Sequence, residues 1–540
     1  MSLCFLSFAV SSYLPQSSSA AFEATSVLQN ANHIFNSIHS GMRQWGSSLN
    51  HNGMSAFVAR VPEGTQFYHG TGWKDPIDGM EWLAFEPEHA LMFARPHGPL
   101  PPHGEHPSKD GEEAPFHRSK YPKDGLHIAK GPEGRPQKPL DRPGSKPGNP
   151  PGRKPPPGGK RPNGKPGFLH TYKTKKDLRL LYVDGMSAGK TSNGTLDFQD
   201  FAILGWNYTT APFIEYERAG ELCNLTQTAW KGSIDGILRM EAGFEIIMCD
   251  FTANLDVVAI ARVGNDTASW DGVGDGMFAY WRAITDRYHD IGGDRVSLNF
   301  DHFVSAYSYG FDVISEDIPR LNGLPKDELV QIRADIDTMI VEEKESKHNW
   351  QATVDLIVTR YARRLQYWIS DAVASSPPSF LQTELETTLR PFIDYDNRNT
   401  TAEMARCTGH FLPKSSSSDG LAAIAVTEVS HKLCNTLFAV LPAADQDRAQ
   451  QELKALVDWL QWTTWKECSG CGYDEVCVVP IWPWGSKEDH DKPSCADATS
   501  IRTKYGYWGT PRRNHGGPDG KPPGEKPDGP RNIKTVSLER

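Results

Sequence analysis

The sequence predicts an α+β chain: a mixed α and β N-terminal half broken by a long insertion, then a mostly helical half that ends in a cysteine-rich piece. Three observations predict it. Short apolar runs of strand character, bounded by turn residues, recur at 55–60, 65–69, 168–172, 178–183, 244–251 and 257–263. The stretch 96–167 is dominated by Pro, Gly and charge, with almost no branched apolar residues, so it cannot bury enough surface to offset chain entropy and is expected to be disordered. From about residue 300 the apolar spacing changes to that of a helix face. At 540 residues the chain is long enough for two or three domains with real cores.

Residues 1–20 hold the apolar run from Leu3 to Val10 and the small residues Ser18-Ser19-Ala20, which read as a secretory leader lacking the usual positive charge at its start. A helix is expected over 30–45, where Ile34, Ile38 and Met42 share a face, and strands 55–60 and 65–69 flank the turn Pro62-Glu63-Gly64. The α+β domain thus spans 21–95 and 168–270, with 96–167 looped out of it. A helical domain is expected over 271–467. Its stripes are Leu329, Ile332, Ile336 and Met339; Trp350, Val354, Ile357, Tyr361, Leu365 and Trp368; and Leu453, Leu456, Val457 and Leu460. Such stripes are packing surfaces rather than cofactor sites. A cysteine-rich module over 468–508 and a Pro/Gly-rich disordered tail over 509–540 complete the chain.

The insertion carries 14 Lys/Arg against 7 Asp/Glu and the tail 7 against 4, so the net charge of −10 conceals a folded body about twice as acidic. An acidic body with basic arms argues against nucleic acid as a partner. No other window is apolar for long enough to span a membrane. Sequons at Asn193, Asn207, Asn224, Asn265 and Asn399, and eight cysteines once Cys4 leaves with the leader, fit a secreted, disulfide-bonded glycoprotein. Cys223 with Cys249 and Cys407 with Cys434 are candidate pairs. Connectivity among Cys468, Cys471, Cys477 and Cys495 is left open, although their spacing fits no closed zinc site and no metal is expected. The segment Asp184-Gly185-Met186-Ser187-Ala188-Gly189-Lys190-Thr191 imitates a phosphate loop but has Asp184 where the first glycine must stand.

The box Phe67-Tyr68-His69-Gly70-Thr71 puts a polar ring at a strand end, and the segment from Glu81 to Ala94 adds a second strand and a helix opening with acidic residues. Together with the segments from Arg43 to Met54 and from Leu180 to Ala188, these motifs resemble a family of uncharacterised secreted proteins of filamentous fungi, over most of residues 30–500. A more distant resemblance, over residues 55–265 without the insertion, is to the ADP-ribosyltransferase-like superfamily in its His-Tyr-Glu branch. That resemblance implies an ADP-ribosyltransferase-like fold and NAD as substrate. In it, His69 binds the adenosine ribose beside Gly70 and Thr71, Phe93 takes the place of the nicotinamide-stacking tyrosine without its hydroxyl, and Glu245 is the catalytic carboxylate, with Glu241 as second choice.

The chemistry is consistent with those residue types, because cleavage of the nicotinamide glycosidic bond passes through an oxocarbenium-like state that a carboxylate stabilises. Against it stand plainer roles: His69 bonded to backbone in the core, Glu245 paired with Arg239 or Arg262, Phe93 as packing. The expected function is therefore a secreted, monomeric NAD-using enzyme, either an ADP-ribosyltransferase with an unknown protein or small-molecule acceptor or an NAD glycohydrolase. The alternative is a non-catalytic extracellular binding or structural protein with a degenerate transferase-like domain.

Overall fold

The computed structural model describes residues 24–94, 167–206, 214–264, 275–285, 295–314, 318–342, 344–413, 420–443, 445–468, 470–500 and 507–508. The expected leader, the Pro/Gly-rich insertion up to residue 166 and the tail from 509 lie outside the described residues.

Helices α1 (Ala24–Gln29), α2 (Ala31–Ser40) and α3 (Gln44–Leu49) precede strands β1 (Ser55–Val61), β2 (Gln66–Thr71) and β3 (Glu81–Ala84) and the short helix α4 (Pro87–Leu91). After the insertion come β4 (Phe168–Thr174), β5 (Leu178–Val183), α5 (Glu215–Gln227), the hairpin β6 (Gly236–Met240) and β7 (Phe244–Met248), α6 (Phe251–Asn254), β8 (Leu255–Arg262), α7 (Asp275–Thr285) and β9 (Ser297–Ser305). Helices α8 (Lys326–Val341) and α9 (Trp350–Trp368) open a helical region that continues to Leu460, followed by the hairpin β10 (Glu475–Val478) and β11 (Ser494–Asp497).

The nine strands β1–β9 make one sheet in the order β8-β4-β2-β3-β7-β6-β5-β1-β9. Every neighbouring pair is antiparallel except β5 with β6. Its central strands β5, β6 and β7 are buried nearly throughout because helices cover both faces, and their sequences are apolar or glycine save for Arg179, Arg239 and Glu245.

Register assigns the faces. Tyr68 pairs with Ala84, Ala84 with Glu245 and Glu245 with Arg239, so these four side chains stand side by side on one face. Their sequence neighbours Phe67, His69, Phe85 and Phe244 take the other. That second face is aromatic: Phe57 stacks on Phe303 at 4.7 Å and on Tyr182 at 5.9 Å. The Met42 N–H donates to the Tyr182 hydroxyl at 3.2 Å, which brings the end of α2 against it. On the first face, α5 reaches Arg239 through Glu215, and α8 receives the Trp230 indole N–H at Asp337 and the Arg179 guanidinium at the Ile340 carbonyl. One continuous apolar core runs from Val27 to Trp508, and β9, from the stretch read as helical domain, is an edge strand of the sheet.

Two boundaries differ from the sequence reading for local reasons. The expected helix 30–45 breaks at Met42, whose φ of 56° is left-handed, and α3 restarts at Gln44. The expected strand 244–251 stops at Met248, since the Asp250 side chain accepts the Ala253 N–H and starts α6.

All eight cysteines among the described residues pair: Cys223–Cys249, Cys407–Cys434, Cys468–Cys477 and Cys471–Cys495. The first two are the pairs the sequence proposed, and the last two settle the connectivity it left open. No helix among the described residues is long and apolar enough to cross a membrane.

Candidate active site

The tight β6–β7 turn at Glu241, Ala242 and Gly243, closed by the Glu241 N–H on the Gly243 carbonyl, projects Glu241 at its tip and Glu245 from the following strand. Directly across the ladder from Glu245 is Arg239, fully buried. Its Nε donates to Glu245 Oε1 at 2.9 Å, Nη1 to Gln199 Oε1 at 2.9 Å and Nη2 to Glu215 Oε1. Glu215 opens α5, which the Cys223–Cys249 bridge staples to the end of β7. From the same helix Arg218 grips Asp200 through two bonds of 2.7 and 2.9 Å and donates to Glu215 at 2.9 Å. Lys190, beyond β5, donates to Glu241 at 2.9 Å, lies 3.8 Å from Glu215 and sits under the Trp482 ring at 5.2 Å. Four carboxylates and three cations thus share one side of the sheet, in surroundings that expose Glu215 and Glu241 by about a fifth and seal the arginines.

The environments of these carboxylates diverge. Burial pushes Glu241 up to about 7, with Glu245 adding to the push and Lys190 opposing it. Burial acts in the same direction on Glu215, but Arg239, Lys190 and Arg218 outweigh it and hold the group at about 2. For Lys190, burial works against the ammonium, and Glu215, Glu241 and Glu245 overcome it, so the group stays charged more firmly than a free lysine. One carboxyl able to exchange a proton near neutrality therefore adjoins another that remains an anion, the arrangement general acid–base chemistry requires.

The residues expected to bind NAD are not brought to this cluster. His69 is on the opposite face of the sheet from Glu245. Its Nδ1 lies 2.7 Å from the Trp82 carbonyl, its ring packs against Phe251 and His170, and burial lowers its pKa despite that backbone bond. Gly70 has a packing reason, since a Cβ there would stand 1.8 Å from the Ala90 carbonyl oxygen of α4. Thr71 is buried at the strand end and receives the Trp73 N–H at 3.4 Å. Phe93, half exposed beyond α4, packs on His89 with ring centres 5.9 Å apart. Glu245 meets Arg239, the partner that the plainer reading named.

Of the sequons, Asn207 and Asn265 lie outside the described residues. The Asn193 amide donates to the Tyr507 carbonyl at 2.8 Å, whereas Asn224 is exposed on α5 and Asn399 is exposed with its oxygen capping a helix.

Sequence reasoning missed Lys190, Asp200, Glu215 and Arg218. The acidic opening of α5 has the form of any helix start and carries no signal of its own, and Lys190 was visible only as the end of a failed phosphate loop. Their meeting depends on the parallel pairing of β5 with β6, which brings the segment after β5 beside the β6–β7 hairpin.

Fold and site together define an α+β protein with a buried carboxylate–cation centre built by its N-terminal half. Within that half, residues 22–270 match the YPL277C N-terminal domain family. The chain is 32% identical over 241 residues to the Saccharomyces cerevisiae protein described as uncharacterized protein YOR389W, and 32% over 242 residues to uncharacterized protein YPL277C of the same yeast. Each match covers 43% of this chain, with 34% of the first relative's length and 43% of the second's. The expected likeness to uncharacterised fungal proteins is thus borne out for this region. No solved structure matches the chain.

Proposed function

We propose that the protein is a secreted hydrolase of glycosidic bonds whose centre is the cluster around Lys190, Glu215, Glu241 and Glu245. Glu241 is the proton donor to the leaving group, while Glu215 and Glu245 supply the negative field that stabilises an oxocarbenium-like transition state. The observation that carries this reading is geometric: Glu241 at 2.9 Å and Glu215 at 3.8 Å reach the same Lys190 ammonium, while burial pushes the first carboxyl up and Arg239, Lys190 and Arg218 hold the second down. The nicotinamide–ribose bond of NAD is one substrate of this class; there nicotinamide departs with the bonding pair as a neutral base and takes no proton, so Glu241, ionised, instead accepts the proton of the water that adds to the ribose carbon. An extracellular site is supported by four disulfides.

A second reading, a non-catalytic extracellular protein with a degenerate transferase-like domain, is favoured by one observation: His69 and Glu245 stand on opposite faces of the sheet, where one dinucleotide cannot touch both. The test is release of nicotinamide from NAD, and of sugar from a panel of O- and N-glycosides, by the purified protein and by Glu241→Gln. The hydrolase reading expects turnover that Glu241→Gln lowers by about two orders of magnitude or more without unfolding. Absence of turnover on every glycosidic substrate leaves the non-catalytic reading standing.

A further inference from the structure

Away from the carboxylate cluster, a polar cavity of about 30 Å³ lies between α2, the loop after α3 and the turn that follows β5. Asn36, Ser37, Ser40, Ser47, Asn52 and Asp184 line it. It is built by α2 together with two segments, Arg43 to Met54 and Leu180 to Ala188, that the proposed function does not use. Two glycines allow these segments to meet: a Cβ on Gly53 would stand 1.8 Å from the Asp184 carbonyl oxygen, and Gly185 has a left-handed φ of +65°.

Asn36 and Asn52 are each 6% exposed. The Asn36 NH₂ donates to the Leu460 carbonyl at 2.9 Å, and the Asn52 NH₂ to the Pro319 carbonyl at 2.8 Å and to that of Asn193. Carbonyls only accept, so neither amide can be flipped, and both Oδ1 atoms are buried without a donor from the protein. Two orphaned acceptors in one small cavity are costly unless something electropositive satisfies them. Beside them the Asp184 carboxyl is held by neutral groups: the Ser55 N–H at 2.8 Å, the Ser37 hydroxyl and the Met54 N–H. A buried carboxylate held only by neutral donors is itself an incentive for a cation.

We propose that this cavity binds one hard metal cation through the Asn36 and Asn52 amide oxygens, the serine hydroxyls and Asp184. The proposed donors are all oxygens, and of the other lining residues the His33 ring stacks on Tyr307 and Met54 belongs to the apolar core, so the site favours ions of the sodium and calcium kind over zinc or copper. The volume admits a single ion, or the single water that is its competitor.

Thermal unfolding of the full chain at constant ionic strength tests this, with choline replaced in turn by Na⁺, K⁺, Mg²⁺ and Ca²⁺. At least one ion should raise Tm saturably by about 2 °C or more, and Asp184→Asn should weaken its apparent affinity at least about tenfold. If Asp184→Asn does not fold, Ser40→Ala, which removes one hydroxyl ligand, should weaken the same response. An identical Tm in all five salts for the wild type, or a response equally strong in the variants, would overturn the proposal and leave water as the occupant. Glycosidase turnover does not enter this readout, so its outcome is independent of the proposed activity.

Discussion

Glu245→Gln separates structural from chemical dependence at the centre of the cluster. Gln keeps the size of Glu245 and one acceptor oxygen but removes its charge from the fully buried Arg239. Arg239 still has Glu215 and Gln199, so the guanidinium is not stranded. The loss should therefore be that of one charge-assisted hydrogen bond in a buried site, about 1.5–3 kcal/mol. It should fall short of the roughly 3–5 kcal/mol expected when a buried ion loses its partner altogether. Glu215→Gln is the calibrating variant: Glu215 alone touches Arg239, Arg218 and Lys190, so its replacement should cost more than Glu245→Gln. Urea unfolding at equal m-values, followed by both far-UV circular dichroism and tryptophan fluorescence, reads the difference. The reverse order, or a Glu245→Gln stability within about 0.5 kcal/mol of wild type, would refute the reasoning that Glu245 holds one bond of the buried Arg239 while Glu215 holds three cations together.

Relative to Glu241→Gln, wild-type stability should fall as pH rises from about 5 to 8, a comparison in which the opposite contribution of His33 and His51, whose pKa values burial lowers, cancels. Burial pushes Glu241 up to about 7 in the fold against an ordinary value of 4.5, so the folded chain holds a proton that the unfolded chain has released, and that stabilisation is complete below the ordinary value and lost as pH passes about 7. Glu215 has the opposite sign, contributing above 4.5 and losing its contribution as pH falls towards 2; the Tm difference between wild type and Glu241→Gln reads the first limb, and that between wild type and Glu215→Gln the second. Gly70→Ala should destabilise by at least about 1–3 kcal/mol, because the new methyl meets the Ala90 carbonyl, whereas a glycine serving only a dinucleotide would leave melting unchanged. Removing the Cys223–Cys249 bridge, which spans 26 residues, should cost about 2–4 kcal/mol in chemical denaturation and abolish any turnover, since α5 carries Glu215 and Arg218.

Much of the sheet was legible because a strand buried on both faces leaves an apolar run that only its ends interrupt. The reading of 178–183 coincides with β5, and the stripe from Trp350 to Trp368 coincides with α9. Strand β6 escaped notice because Arg239 sits inside its five residues, and a charge in so short a run reads as surface until its partners are known. Strand β9 was lost for another reason: its register against β1 shifts between Phe57 and Ala59, which spoils the alternation. In the site, Glu245 could be singled out because a carboxylate inside an apolar strand needs an explanation. Whether that explanation was NAD or an arginine depended on which face His69 took, and only strand register decides that.

The loop after β5 explains why neither of the two polar centres could be found one segment at a time. Its first residue, Asp184, closes the small cavity, and Lys190 enters the carboxylate cluster. Between them the Ala188 N–H bonds the Met240 carbonyl, tying the loop to the hairpin that carries Glu241. The cysteine-rich module closes it from outside: the Trp482 N–H approaches the Met186 sulfur at 3.2 Å and its ring covers Lys190. A lysine beneath an indole loses water without losing favourable electrostatics, because the ring face is electron-rich. The module, closed on itself by two disulfides, thus covers the lysine that bonds Glu241, and the cysteine-rich end is part of the candidate site rather than an appendage to it.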